Sequence, residues 1–227
     1  MSIFEAVRSA LFPKLCIFCH TEAVNEEDYA CENCIEDVAK EQAKLCSACN
    51  STVYKCNCRH PEGITRMLSA FWYEGQVRSY VLEMKEKNYD ECFDYAAKRI
   101  VSLIGDDEYY LQVDTVTYVP RGKRKQSVTG IDPAFEIAKR VSKMLGKPLC
   151  KYLVCVGKKH DQKTLSGEER QKNIKGVFKS TDEIPYGRVL LVDDVMTTGA
   201  TARECAKVLK KAGASEVAAV FLARTRI

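Results

Sequence analysis

The stretch Arg188-Val189-Leu190-Leu191-Val192-Asp193-Asp194-Val195-Met196-Thr197-Thr198-Gly199-Ala200-Thr201 constrains this chain more than any other. An apolar run ends in two carboxylates, a loop of small hydroxyl and glycine residues follows, and a helical pattern runs from Thr201 to Ala212. The order is strand, loop, helix. A loop that enters a helix N-terminus presents free backbone N–H groups and about half a positive charge, which suits a phosphate. Thr197, Thr198 and Thr201 add hydroxyl donors, and Gly199 admits close backbone approach or a positive φ. Asp193 and Asp194, acceptors only when ionised, suit neighbouring sugar hydroxyls. A phosphate at one end and a diol at the other describe a ribose 5-phosphate, with Val195, Met196, Thr197, Thr198, Gly199, Ala200 and Thr201 as the phosphate-binding run.

The plainer alternative is that the acids only terminate a buried strand and the threonines cap the next helix. Two adjacent acids followed by Thr-Thr-Gly-x-Thr exceed what one N-cap requires. A nucleotide-hydrolysing P-loop is excluded, because G-x-x-x-x-G-K-[ST] occurs nowhere in the chain.

A second feature competes for attention at the other end. Of twelve cysteines, eight fall between Cys16 and Cys58: Cys16, Cys19, Cys31, Cys34, Cys46, Cys49, Cys56 and Cys58. Neither end of the chain carries an apolar run of membrane-spanning length, and Glu5 and Arg8 interrupt the segment where a signal peptide has its apolar core, so a cytoplasmic location is expected. In a reducing compartment such cysteines point to metal rather than disulfides. Each C-x-x-C knuckle presents two thiolates to one tetrahedral ion, and all-cysteine tetrads leave no open position for catalysis. Sequential pairing gives a zinc site at Cys16, Cys19, Cys31 and Cys34 and a second at Cys46, Cys49, Cys56 and Cys58, two zinc ions in all. The spacing is also compatible with cross-braced pairing, and His60 can replace a ligand beside the tighter Cys56-Asn57-Cys58 knuckle. The remaining four, Cys92, Cys150, Cys155 and Cys205, sit singly in apolar patterns and read as small buried hydrophobes.

The length of 227 residues with 46% apolar residues suits one medium domain plus a small one. A net charge of +4 permits phosphate or nucleic-acid contact without requiring it. Residues 59 to 64, with Pro61 and Gly63, form the expected junction, giving a cysteine-rich unit over 1–62 and a larger unit over 63–227. At the start, Ile3, Phe4, Val7 and Leu11 share one face of a short helix. In the larger unit Ile64 to Tyr73 reads as a strand and Val77 to Lys85 as a helix burying Val77, Tyr80, Val81 and Met84. Asp90 is placed to cap a helix carrying Phe93, Ala97, Ile100 and Ile104, which Gly105 stops. Asp114 to Val119 and Leu149 to Val156 read as further core strands, Ala134 to Leu145 as a helix with Asp132 as N-cap and Pro133 at N1, and Val217 to Leu222 as the last strand. Alternating strands and helices imply a parallel α/β sheet with its ligand at the carboxyl ends of the strands.

The Val192 to Thr201 stretch resembles the phosphoribosyl pyrophosphate (PRPP) motif of type I phosphoribosyltransferases. Together with the cysteine-rich N-terminus it makes nearly the whole chain similar to the ComF family of competence-protein-F-like bacterial proteins. The resemblance implies a double zinc ribbon followed by a phosphoribosyltransferase fold, with Asp193 and Asp194 as the catalytic pair and magnesium accompanying PRPP. It raises Arg121, Lys123 and Arg124, in the cationic turn after Pro120, as pyrophosphate contacts, although a solvated loop explains four cations there equally well. It also matches Gln162, Leu165, Ser166, Arg170 and Asn173 to a loop that closes over the reacting sugar, while His160 beside them reads as a solvated loop residue. One departure stands out: where the family carries Arg-Gly-Phe-Asn-Gln, this chain has Thr129-Gly130-Ile131-Asp132-Pro133 and keeps only the glycine.

Two functional classes follow. The first is an accessory protein of DNA uptake and natural transformation that binds PRPP or a nucleotide and touches single-stranded DNA or DNA-uptake proteins. The second is an enzyme that transfers phosphoribose to an unknown acceptor. The chain ends five residues after the last expected strand, which leaves no extension to help enclose a nucleobase and weighs towards the first.

Overall fold

The computed structural model describes residues 11, 13–21, 24–25, 28–42, 62–87, 90–122, 130–157, 174–181, 183–185 and 187–225. A helix α1 (Glu32–Gln42) carries the second cysteine knuckle at its start. There follow β1 (Arg66–Trp72), α2 (Gly75–Glu86), α3 (Asp90–Ile104), the short α4 (Glu108–Leu111), β2 (Thr115–Tyr118) and α5 (Pro133–Leu145). The chain is completed by β3 (Leu153–Cys155), β4 (Phe178–Ser180), β5 (Arg188–Met196), α6 (Ala200–Lys211) and β6 (Glu216–Arg224).

Four strands form one sheet in the order β1-β6-β5-β2, and each neighbouring pair is parallel. A parallel strand covered on both faces should be apolar throughout rather than alternating. The central strands behave so: Val189 to Val192 and Val217 to Ala223 are all buried. On one face Leu190, Val192, Val220 and Leu222 meet Val77, Tyr80, Val81 and Met84 of α2, Phe93, Ala97 and Ile100 of α3, and Ile137 and Val141 of α5. On the other, Leu191, Ala219 and Phe221 meet Ala202, Cys205, Ala206 and Leu209 of α6, together with Leu153 and Phe178 of a separate two-stranded ribbon.

Local signals place the helices closely. Asp132 caps α5 by accepting the Phe135 N–H, Pro133 opens it, and Gly146 ends it in the left-handed conformation. Asp90 is the first helical residue of α3 rather than its cap. Gly213 ends α6 with φ +121, and a Cβ there would lie 2.3 Å from the Ile184 carbonyl oxygen, so no other residue fits this crossing without moving the backbone. Neither α1 nor α4 stands out in the sequence. Each is short, and α4 is a single turn held by Asp107 accepting the Tyr109 N–H.

Three expectations change. Leu149 to Val156 is not a strand of the main sheet. The Val116 N–H donates to the Pro148 carbonyl and the Cys150 N–H to the Val116 carbonyl, so the chain touches the β2 edge at a single bridge and then leaves it. Leu153–Cys155 pairs antiparallel with Phe178–Ser180, a strand too short to read from its sequence, and Val156 is 54% exposed, which a covered core strand would not tolerate. Secondly, β5 does not stop at Asp193. Since β6 runs on to Arg224, Val195 and Met196 find partners in Ala223 and Arg224, and the acids lie within the strand instead of ending it. Thirdly, the last strand itself runs from Glu216 to Arg224, beyond the expected Leu222.

The expected helix before Leu11, the knuckles Cys46–Cys49 and Cys56–Cys58, His60, Lys123, Arg124 and the loop containing His160, Gln162, Leu165, Ser166, Arg170 and Asn173 lie outside the described residues. Among the described residues no helix is long and apolar enough to cross a membrane.

Candidate functional site

At the carboxyl end of β5 the chain passes through Thr197 and Thr198, both half-buried, and turns at Gly199, whose φ of 71 is left-handed. That conformation costs a residue with a Cβ about 1 kcal/mol or more and costs glycine nothing comparable. Gly199 offers no side chain to cap α6, and no acid occupies the first turn, so neither a side-chain cap nor a carboxylate offsets the positive end of the helix. The Arg203 N–H closes the first turn onto the Gly199 carbonyl, leaving the amides of Ala200, Thr201 and Ala202 at the helix mouth. Thr201 is half-buried, and its hydroxyl lies on the same first turn.

Beside this mouth stand the two acids. Asp193 Oδ1 accepts the Asp194 N–H at 2.9 Å, and Asp194 Oδ1 accepts the Val195 N–H at 2.6 Å. Asp194 faces the α2 layer, as Leu190 and Val192 do at the same phase of the strand, and its Oδ2 meets Lys85 Nζ at 2.9 Å. Lys85 is the site residue that sequence reading misses: it is the cation of the last turn of α2, next to the buried Met84, and nothing in its own surroundings names its partner.

The charges settle each other. Burial opposes the negative charge of Asp194, but Lys85, the Val195 N–H and Arg121 outweigh it and hold the carboxyl below its ordinary range. Burial likewise opposes the charge of Lys85, and Asp194 and then Asp193 outweigh it and raise the ammonium. The carboxylate's contribution to stability is therefore complete above the ordinary carboxylate range and is lost only as pH falls through the lowered value. The ammonium's contribution is lost only as pH rises through its raised value. The pair stays charged across the neutral range.

Of the expected pyrophosphate contacts Arg121, Lys123 and Arg124, Arg121 lies among the described residues. Its backbone N–H donates to Asp132 Oδ2 at 3.0 Å and its guanidinium Nη1 to the Ile131 carbonyl at 2.9 Å. The departure at residues 129–133 thus has a physical role: Asp132 takes both the first turn of α5 and the backbone of the cationic turn. Burial raises the Asp132 carboxyl, and Asp194 raises it further, while the two N–H donors and the Arg121 charge pull it down. Arg121, Asp132, Asp194 and Lys85 therefore share one electrostatic neighbourhood.

At the other end of the described chain, the Sγ atoms of Cys16, Cys19, Cys31 and Cys34 lie within 4.8 Å of one another, and Cys19 and Cys31 are 4.0 Å apart. A tetrahedral ion with thiolates at about 2.3 Å needs sulfur separations of about 3.8 Å, so these four can hold one metal ion. The Phe18 N–H points at Cys16 Sγ and the Thr21 hydroxyl at Cys19 Sγ, while Cys31 and Cys34 stand at the amino end of α1. The cluster is fastened to the sheet domain: the Phe18 ring lies 5.2 Å from Tyr80 and 5.6 Å from Tyr95, and His20 pairs with Glu83 at 2.7 Å. Of the other cysteines, Cys92 and Cys205 are buried as expected, whereas Cys150 and Cys155 are half-buried. A cleft of about 510 Å³, lined among others by Val38, Phe71, Trp72 and Glu74, opens at the carboxyl end of β1, and none of the expected site residues among the described residues lines it.

Residues 130–227 match the phosphoribosyl transferase domain family, and the parallel sheet with its β5–α6 turn is the type I phosphoribosyltransferase fold. The chain is 36% identical over 115 residues to Competence protein F of Haemophilus influenzae, a match spanning 49% of this chain and only half of that protein. It is 25% identical to the DNA utilization protein YhgH of Salmonella typhimurium over 94% of this chain and 98% of that one. Among solved structures, a glutamine PRPP amidotransferase from B. subtilis aligns with a TM-score of 0.42 at 20% identity, covering 62% of this chain and 30% of that one. The chain thus combines a phosphoribosyl transferase domain match over residues 130–227 with an amino-terminal four-cysteine cluster, and it is similar to Competence protein F and to the DNA utilization protein YhgH.

Proposed function

We propose that this protein binds PRPP, or a nucleotide presenting the same ribose 5-phosphate, at the β5–α6 turn, and that it serves the handling of single-stranded DNA taken into the cytoplasm during natural transformation. The observation that carries the reading is the left-handed Gly199 turn, which leaves the amino end of α6 without a side-chain cap or a neighbouring acid, directly beside Asp193 and Asp194. The 5-phosphate sits on the amides of Ala200, Thr201 and Ala202 with the hydroxyls of Thr197, Thr198 and Thr201. Asp193 and Asp194 accept from the ribose diol. The turn containing Arg121, Lys123 and Arg124 receives the pyrophosphate. Magnesium enters with PRPP, offsetting the pyrophosphate charge: among the described residues only the four cysteines cluster as metal ligands, and a hard cation prefers oxygen. The cysteine cluster holds zinc, and a second zinc is expected at Cys46, Cys49, Cys56 and Cys58. The DNA role draws support from the names of the two curated relatives, Competence protein F and DNA utilization protein YhgH.

Replacing Arg121, Lys123 and Arg124 together by alanine separates the two ligands. We expect PRPP affinity to fall while the salt dependence of single-stranded DNA binding, measured by fluorescence anisotropy, is kept. If the turn instead contacts DNA, the slope of log affinity against log salt flattens by about 0.7 for each lost phosphate contact. Loss of neither ligand would make the cluster a solvated loop. Because Arg121 also ties down the Ile131–Asp132 turn, the variant's thermal unfolding is measured alongside.

A further inference from the structure

The pairing of Lys85 with Asp194 joins two segments far apart in the chain at the carboxyl end of β5. The ammonium is only 24% exposed and the carboxylate 17%, so the contact is a partly buried one rather than a solvated surface pair. Removing one member of a buried pair leaves the other as a poorly compensated charge. Like charge lies near as well: Asp193 precedes Asp194 on β5, and the charges of Asp132, at the start of α5, and Asp194 oppose each other. Against these, among the described residues, stand Lys85 from α2 and Arg121 from the turn after β2, and Tyr73, at the end of β1, acts on Lys85. Arg121 donates through Nη1 to the Ile131 carbonyl, while Lys85 Nζ lies in direct contact with the acid at 2.9 Å.

The geometry points to Lys85 as a positioning residue of the ribose 5-phosphate site, one that holds Asp194 ionised and oriented so that it can accept a ribose hydroxyl. The inference rests on the ligand reading above. Asp194 Oδ1 is fixed by the Val195 N–H and Oδ2 by the ammonium, and each oxygen keeps a lone pair for a ligand hydroxyl. Without Lys85, burial and the charge of Asp132 favour protonation of Asp194, and a protonated carboxyl is a weaker acceptor for the diol.

The test compares wild type with Lys85→Met and Lys85→Arg, titrating PRPP with magnesium by calorimetry between pH 8 and pH 5.5. We expect Lys85→Met to bind more weakly, and its deficit relative to wild type to widen as pH falls, by up to about tenfold for each unit by which the carboxyl's titration rises above the assay pH. Lys85→Arg should restore most of the affinity and the wild-type pH profile. Expressing the result as a ratio to wild type cancels the ligand's own titration. A deficit independent of pH, or none, overturns the inference while leaving the ligand reading intact. Wild type failing to bind PRPP overturns both. If Lys85→Met does not fold, the double variant Lys85→Met with Asp194→Asn removes both charges, and its affinity should equal that of Asp194→Asn alone. A further loss in the double variant would mean that Lys85 acts other than through Asp194.

Discussion

Stripping the metal from Cys16, Cys19, Cys31 and Cys34 should unfold the amino-terminal segment and strip the cover from α2 and α3. Structural zinc contributes on the order of 10 kcal/mol to the folding of small metal-held units, more than any single side-chain contact in this chain. The consequence spreads, because Cys16, Phe18 and Cys34 belong to the same buried cluster as Phe71, Tyr80 and Phe93. Phe18 makes edge or tilted ring contacts with Phe71, Tyr80 and Tyr95, each worth about 0.5–1.5 kcal/mol beyond the area buried. Metal analysis of protein purified without chelator, with thermal unfolding before and after chelation, checks this. The expected result is bound zinc and a large drop in unfolding temperature, matched by Cys34→Ser. A metal-free protein of unchanged stability would refute the structural role, and a second zinc would place an ion on the Cys46 to Cys58 knuckles.

The second large effect is at the acids. Asp193→Asn and Asp194→Asn should each weaken PRPP binding about ten- to a hundredfold, since each removes a charge-assisted hydrogen bond worth roughly 1.5–3 kcal/mol. The two variants should differ in stability. Asp193→Asn leaves the Lys85 pair in place, whereas Asp194→Asn confronts a partly buried ammonium with a neutral partner. Asp194→Asn should therefore also lower the denaturant midpoint, and Asp193→Asn should leave it nearly unchanged. Equal affinities for wild type and both variants would make the acids structural.

What the sequence discloses about this fold divides along a physical line. Features decided within a few residues are readable: the Asp132–Pro133 start of α5, the buried face of Val77, Tyr80, Val81 and Met84, the left-handed glycine before α6, and the first four-cysteine cluster all follow from local periodicity, capping or ligand spacing. Features decided by distant partners are not. The length of β5 beyond Asp193 depends on how far β6 runs beside it. The displacement of Leu153–Cys155 into its own ribbon depends on Phe178–Ser180, a three-residue strand with no periodicity of its own. Lys85 shows the same limit at the site, since a lysine in the last turn of a helix satisfies the helix dipole as well as it does Asp194.

The central claim is that the β5–α6 turn and its acids bind a phosphorylated ribose, and calorimetric titration of the purified wild-type protein with PRPP and magnesium tests it most directly. The account predicts saturable binding of about one PRPP per chain, competed by ribose 5-phosphate, which presents the same phosphate and diol. Absence of binding by protein shown to be folded and metal-loaded would contradict it, and would leave the Gly199 turn as an unoccupied feature of the fold.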